Sequence, residues 1–113
     1  MEATSELREN AVVLQVTGEL DSYTAPLLQE HLGKAFTEAA EGGLAVVLDL
    51  TGISFLASSG LSVLVEYHLR GEDQGIPLRV VTPAGSALRA LRATTLNETI
   101  QIYGTVPEAL AGR

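Results

Sequence analysis

The sequence predicts an α/β domain with a mixed, mostly parallel sheet of four to five strands and helices packed mainly on one face. Four segments alternate between apolar and polar residues at a period of two, as strands do. Amphipathic helical patterns lie between them, and helical crossovers join parallel strands. One set of strand positions is almost wholly apolar and the other is half polar, which predicts that the sheet is covered mainly on one face.

Each strand is placed by its alternation. A weaker strand near Ser5–Arg8 precedes the others, with Glu9-Asn10 as a hairpin turn. The four clear strands are Val12–Thr17, Leu44–Leu50, Leu78–Thr82 and Thr99–Tyr103. If the strands lie in chain order and the crossovers are right-handed, every crossover helix falls on the same face.

The helices are placed by apolar spacing and by their end signals. They are expected at about Ala25–Ala40 with Thr24 as N-cap, at about Ser59–Arg70 with Gly71 at its end, after Pro83, and after the capping box Thr105-Val106-Pro107-Glu108. The inward faces are predicted to carry Leu28, Leu32, Ala35, Phe36 and Ala39, then Leu61, Leu64, Val65, His68 and Leu69, then Ala84, Ala87, Leu88 and Leu91.

Composition narrows the class of protein. The 113 residues fit one domain spanning 1–113, and seven basic against 14 acidic residues give a net charge of −7, which disfavours binding to nucleic acid or to an anionic membrane. Without cysteine there is no disulfide, thiol nucleophile or cysteine zinc site. The N-terminus lacks a secretory pattern, and the longest apolar run, Leu44–Leu48, is too short to span a bilayer. We therefore expect a cytoplasmic protein, either a small enzyme or a small binding module.

The most informative segment is Asp49–Leu61, which leaves a strand, turns, and enters a helix at Ser58-Ser59-Gly60. The simplest interpretation is that Ser58 or Ser59 caps the helix. An exposed serine at a helix N-terminus is also a suitable phosphoacceptor, because the helix dipole and free N–H groups favour the phosphate. The two interpretations are compatible.

A second segment, Val16–Pro26, also follows a strand. Asp21 or Thr24 in this segment could cap the next helix, while Glu19 and Asp21 could instead face a partner. Because both segments follow the carboxyl ends of parallel strands, we expect them to be neighbours at one edge of the sheet.

Together the two segments resemble the STAS family (sulfate transporter and anti-sigma factor antagonist), in its free-standing bacterial form. The resemblance rests on the box Gly18-Glu19-Leu20-Asp21, on the run Thr51-Gly-Ile-Ser-Phe-Leu-Ala-Ser-Ser-Gly-Leu61, and on the order of elements, and it covers nearly the whole chain. It implies a STAS-like fold and an anti-sigma factor antagonist rather than an enzyme.

The resemblance also implies a mechanism. The family's phosphorylated serine falls on Ser58, with Ser59 as a secondary acceptor or cap. The unphosphorylated antagonist binds an anti-sigma factor that is also a serine kinase, which frees the sigma factor; phosphorylation ends the complex and a serine phosphatase resets it. The implied docking residues are Glu19, Asp21, Ser54, Ala57, Ser58, Ser59 and Gly60. A monomer or weak dimer is expected, with no cofactor and no metal.

One departure keeps an alternative open. The family usually has an aspartate immediately before the serine, and here that residue is Ala57. A carboxylate beside the hydroxyl is therefore missing, which bears on kinase recognition. The alternative is a STAS scaffold or transporter-associated subunit that works without phosphorylation.

A hydrolase is the remaining alternative, because Ser58, His68 and Asp49 are the residue types of a catalytic triad. Asp49, however, lies within a predicted strand, and His68 lies about two and a half helical turns beyond Ser58 on an apolar stripe. The sequence contains no Gly-x-Ser-x-Gly elbow and no phosphate-binding Gly-rich loop. These observations favour a binding module.

Overall fold

A computed structural model describes residues 1–112, and the strands form one sheet in chain order. The first strand is antiparallel to the second, and the remaining neighbours are parallel. The strands are β1 (Glu2–Arg8), β2 (Ala11–Leu20), β3 (Ala45–Leu56), β4 (Leu78–Val81) and β5 (Gln101–Tyr103). The predicted fold class and strand order are confirmed.

The helices lie on both faces in unequal numbers. They are α1 (Ala25–Gly42), α2 (Ser58–Gln74), α3 (Ser86–Ala93) and the short α4 (Val106–Ala111), with a 3-10 turn at Leu96–Glu98. The first three helices bury their apolar residues on the face that carries Leu14, Leu48 and Val80. Helix α4 packs Ala109 and Leu110 onto the opposite face. Within residues 1–112, no helix has the length and apolar character needed to cross a membrane.

The weak first strand and its turn are confirmed. Strand β1 pairs with β2 from Glu2 opposite Thr17 to Arg8 opposite Ala11. Glu9 adopts a left-handed backbone with φ of 50°, which closes the predicted two-residue turn. The outer strand is therefore a hairpin extension of the parallel sheet.

Strands β2 and β3 run further than their alternation predicts. The expected turn after Leu50 is instead strand as far as Leu56, because the pairing of β3 with β2 resumes after a register shift. Asp49 Oδ1 accepts hydrogen bonds from the backbone N–H of Thr51 at 2.9 Å and from the Thr51 hydroxyl. A buried carboxylate therefore provides the hydrogen-bond acceptor for the irregular stretch of strand. The extension carries β3 up to the start of α2.

The predicted end of α2 at Gly71 is wrong. The helix continues to Gln74, and Gly75, with φ of 71°, forms its left-handed C-cap. Gly71 is buried, and a Cβ added to it would lie 2.3 Å from the carbonyl oxygen of Ile76. Glycine is needed there for close approach of the backbone and not for termination.

Several predicted facing residues also differ. Leu69 is 57% exposed, while Tyr67 takes the inward position and packs edge-on against Phe36 with 5.2 Å between ring centroids. Ala84 precedes α3 and is exposed. Val65, His68 and Leu88 are half-buried, whereas the other predicted inward positions are buried.

Candidate functional site

The two informative segments meet at one edge of the sheet, as predicted. Glu19 lies opposite Phe55, and Leu20 lies opposite Leu56, at the carboxyl ends of β2 and β3. The N–H of Ala57 donates to the carbonyl of Leu20 at 2.8 Å, so the chain is still tied to β2 when it enters α2. We call this region the β2–β3 edge: residues 19–27 and 54–60.

Asp21 stabilises the turn that follows β2. Its Oδ1 accepts the N–H groups of Tyr23 at 2.9 Å and Thr24 at 3.1 Å. The Thr24 hydroxyl donates to the carbonyl of Glu19 at 2.8 Å and accepts the N–H of Asp21 at 2.9 Å. Thr24 thus occupies the predicted N-cap position, but its side chain bonds back to the turn and not to α1. Glu19 is exposed, so of the two predicted carboxylates it is the freer to face a partner.

Ser54 links three elements at the same edge. Its hydroxyl donates to the carbonyl of Gly18 at 3.2 Å, and its own carbonyl accepts the hydroxyl of Ser86 at 2.9 Å. Strand β2, strand β3 and helix α3 are therefore held together here. Ser54 remains exposed, so it can also contribute surface.

Ser58 is exposed and is the first residue of α2. The prediction that Ser58 or Ser59 caps this helix is wrong: Ala57 occupies the N-cap, with an extended backbone and no side chain that accepts a hydrogen bond. Among residues 1–112, the hydroxyl of Ser58 has no hydrogen-bond partner, and its carbonyl accepts the Ser62 hydroxyl at 3.0 Å. The Ser58 hydroxyl is therefore free to be approached from solvent.

Ser58 also borders a shallow groove of about 400 Å³. One wall is α2, and the other is the turn between α3 and β5. The groove is lined by Ser58, Leu61, Ser62, Val65, Thr94 and Leu96. The surface that lines it is mostly apolar.

Unlike the exposed Ser58, the Ser59 hydroxyl oxygen and Gly60 are buried. The Ser59 hydroxyl oxygen is buried and has no partner among the described residues, so it is the less accessible acceptor. Gly60 is buried, and a Cβ there would lie 2.8 Å from Leu56 Cδ1 and 3.1 Å from Leu20 Cβ. Gly60 was predicted as a docking residue, but its position indicates that it lets α2 pack against the strand ends.

We expect Gly60→Ala to destabilise the protein. Overpacking costs about 1–3 kcal/mol and the gain in helix propensity returns up to about 1 kcal/mol, so the net loss should be about 1 kcal/mol. Urea unfolding checks this, with Gly104→Ala as a control, because the atom nearest to a Cβ at Gly104 is 4.0 Å away. Equal stability of the two variants would contradict the close packing of Gly60.

Replacing Ala57 with a capping residue should instead raise the stability of the protein. An asparagine at this N-cap would accept an N–H of the first turn of α2 and raise the free energy of unfolding by about 1 kcal/mol. Ala57→Val, which offers no acceptor, is the matched control in the same urea titration. No gain for asparagine over valine would show that the N–H groups are already satisfied.

The triad residues are not brought together. His68 Nε2 lies 3.4 Å from Glu72 Oε1, one helical turn along α2. Asp49 is engaged by Thr51, and among residues 1–112 neither His68 nor Asp49 hydrogen-bonds to Ser58. The part of the chain described here also contains no cluster of three or more His, Asp or Glu side chains arranged to hold a metal ion.

The exposed apolar side chains at this edge are not predicted by the sequence pattern. Tyr23 is 88% exposed, Phe55 50% and Leu27 45%. Alternation from the buried Ile53 would put Phe55 inside, but a register shift between Gly18 and Glu19 interrupts the pairing. No local pattern in the sequence signals that irregularity.

Residues 2–109 match the STAS domain family. The anti-sigma-F factor antagonist RsfB of Mycobacterium tuberculosis is 31% identical over 88% of this chain and 79% of its own. The anti-sigma-B factor antagonist of Bacillus subtilis is 31% identical over 83% of each chain. The crystal structure of an anti-sigma factor antagonist from Mycobacterium paratuberculosis superimposes with a TM-score of 0.81 at 28% identity, covering 98% of this chain and 92% of that one.

Proposed function

Since the chain belongs to the STAS domain family, we propose that it is an anti-sigma factor antagonist switched by phosphorylation of Ser58. In the unphosphorylated state it binds an anti-sigma factor that is also a serine kinase, and so releases a sigma factor. Phosphorylation ends that complex, and a serine phosphatase restores it. The names of its relatives support the antagonist role, and that role belongs to the cytoplasm, where sigma factors act.

The observation that carries the switch is the position of Ser58. Its hydroxyl is exposed at the start of α2, on the edge formed by β2 and β3. A phosphate there would lie near the positive end of the helix dipole, and Ala57 leaves the N–H groups of the first turn without a side-chain cap. The fold can therefore accept the modification without local unfolding.

A docked partner would be affected quite differently. Phosphorylation adds about −1.5 to −2 charges to an edge that already contains Glu19 and Asp21. A surface complementary to the neutral hydroxyl would face both a new charge and a bulky group. Release of the partner then follows from steric exclusion and from the cost of burying a charge that the docked surface does not pair, without a conformational change in the antagonist.

The second candidate is a STAS scaffold that works without phosphorylation, and Ala57 is the observation that favours it. A kinase that needs a carboxylate next to its target serine would not phosphorylate this chain. The same edge would then bind its partner constitutively. Both candidates are regulatory binding roles, and neither uses a catalytic residue of this chain.

The antagonist role is tested by competition. Each anti-sigma factor with serine kinase activity that the source genome encodes is purified with its sigma factor, and the unphosphorylated chain is added. We expect one of these complexes to release its sigma factor as the chain binds, measured by size-exclusion chromatography and calorimetry. The proposal is wrong if every sigma complex stays intact at a large excess of the chain.

A further inference from the structure

The exposed aromatic residues of this protein are concentrated at one place. The chain has five Phe and Tyr residues and no Trp. Phe36, Tyr67 and Tyr103 are at most 8% exposed, whereas Tyr23 and Phe55 are 88% and 50% exposed. Both exposed rings belong to the β2–β3 edge. Aromatic side chains left in water at one edge of a fold indicate a surface that is covered by another molecule.

Leu27 belongs to the same edge. It lies in the first turn of α1, directly after the turn that contains Tyr23, and is 45% exposed. Of the five large apolar side chains most exposed in the described chain, three are therefore at this edge; the other two are Leu7 on β1 and Leu69 on α2. We call Tyr23, Leu27 and Phe55 the apolar anchor.

The charged side chains within the β2–β3 edge have one sign, while the α-amino group of Met1 lies beside Gly18. Glu19 lies opposite Phe55 on the paired strands, and Asp21 is two residues before Tyr23. Residues 19–27 and 54–60, which form this edge, contain no Lys or Arg. The β2–β3 edge is thus apolar at its anchor and acidic beside it.

We propose that the apolar anchor supplies most of the binding energy of the antagonist complex, and that the partner presents an apolar pocket rimmed by Lys or Arg. This inference rests on the proposed function and specifies the chemistry of its partner. A second copy fits poorly, because a twofold contact would bring the same carboxylates face to face. A bilayer with anionic headgroups would repel the same carboxylates.

The test uses the full chain and the anti-sigma factor that it binds in the competition experiment. The double variant Tyr23→Ser/Phe55→Ser should bind about 1,000-fold more weakly than wild type, since two buried aromatic anchors contribute about 2 kcal/mol each. Leu69→Ser removes an apolar side chain of similar exposure from another surface and should change affinity less than about twofold. Because all three side chains are exposed, the variants are expected to keep the wild-type circular dichroism and unfolding midpoint.

Salt dependence tests the basic rim. Wild-type affinity should fall as NaCl is raised from low to high concentration, and Glu19→Gln should reduce that dependence.

Binding of the double variant within twofold of wild type would overturn the anchor while leaving the antagonist role intact. If wild type binds no anti-sigma factor, both proposals fail. Loss of self-association, or of binding to phosphatidylglycerol vesicles, in the double variant would instead identify a second copy or a membrane as the occupant and overturn the proposed partner.

Discussion

Ser58→Asp should bind the anti-sigma factor about 100-fold more weakly than Ser58→Ala, because a carboxylate buried against a surface complementary to the neutral hydroxyl is left unpaired, which costs about 3 kcal/mol. Both variants should fold as wild type does, since the Ser58 side chain is exposed and makes no hydrogen bond within residues 1–112. Ser58→Ala should keep the wild-type affinity. Calorimetric titration of the same anti-sigma factor with each variant measures the difference.

The matched control for this prediction is Ser5→Asp. Ser5 is an exposed residue of β1 and lies outside the β2–β3 edge. The Ser5→Asp variant adds the same net charge as Ser58→Asp, so it separates a local effect on binding from a general increase in the negative charge of the protein. Ser5→Asp should bind like wild type. Equal affinities of Ser58→Asp and Ser58→Ala would be incompatible with a switch at this position.

Gly71→Ala should give the largest loss of stability among single-methyl additions to this protein. The new Cβ would lie 2.3 Å from the carbonyl oxygen of Ile76, a backbone atom that can move only if the loop into β4 shifts. That shift would also weaken the hydrogen bond from the N–H of Ile76 to the carbonyl of Gly71, which is 2.8 Å long. Overpacking at about 3 kcal/mol, offset by up to about 1 kcal/mol of helix propensity, leaves a net loss of about 2 kcal/mol.

Gly75→Ala is the comparison that isolates packing from backbone strain. Gly75 has φ of 71° but no atom within 4 Å of an added Cβ. Its substitution should cost about 1 kcal/mol, from the left-handed conformation alone. Urea unfolding of the two variants measures both effects. If Gly75→Ala proved the more destabilising, α2 would not approach the loop before β4 as closely as described.

The sheet could be predicted from the sequence because the alternation of apolar and polar residues along each strand involves only residues that are close together in the chain. Alternating residues such as Val12, Leu14 and Val16 are all buried on one face, and the neighbouring polar Gln15 is exposed. If the strands lie in chain order and the crossovers are right-handed, α1, α2 and α3 fall on a single face. The same strand order brings the two segments of the β2–β3 edge together.

The details of the edge could not be predicted because they depend on contacts between distant residues. Strand β3 continues beyond Leu50 only because β2 is there to pair with it after a register shift. The same irregularity leaves Phe55 half in solvent. Asp21 was expected either to cap a helix or to face a partner, and the geometry assigns one of its oxygens to the turn. Local propensity offers no information on such choices.

The N-cap residue of α2 could not be predicted for a different reason. Serine is a strong N-cap residue, so a Ser-Ser pair at a helix start favours one of them as the cap. Instead the tie between Ala57 and Leu20 sets where the helix begins, and Ser58 falls one position inside it. The serine is thereby released from a structural role, and its hydroxyl is left available for modification.

The most direct test of the account is to locate the phosphate. The chain is incubated with ATP and the anti-sigma factor kinase that binds it, and the products are mapped by mass spectrometry for wild type, Ser58→Ala and Ser59→Ala. We predict one phosphate per chain, on Ser58, which is lost in Ser58→Ala and retained in Ser59→Ala. An unmodified wild-type chain, or a Ser58→Ala chain that is still phosphorylated, would contradict the proposed switch.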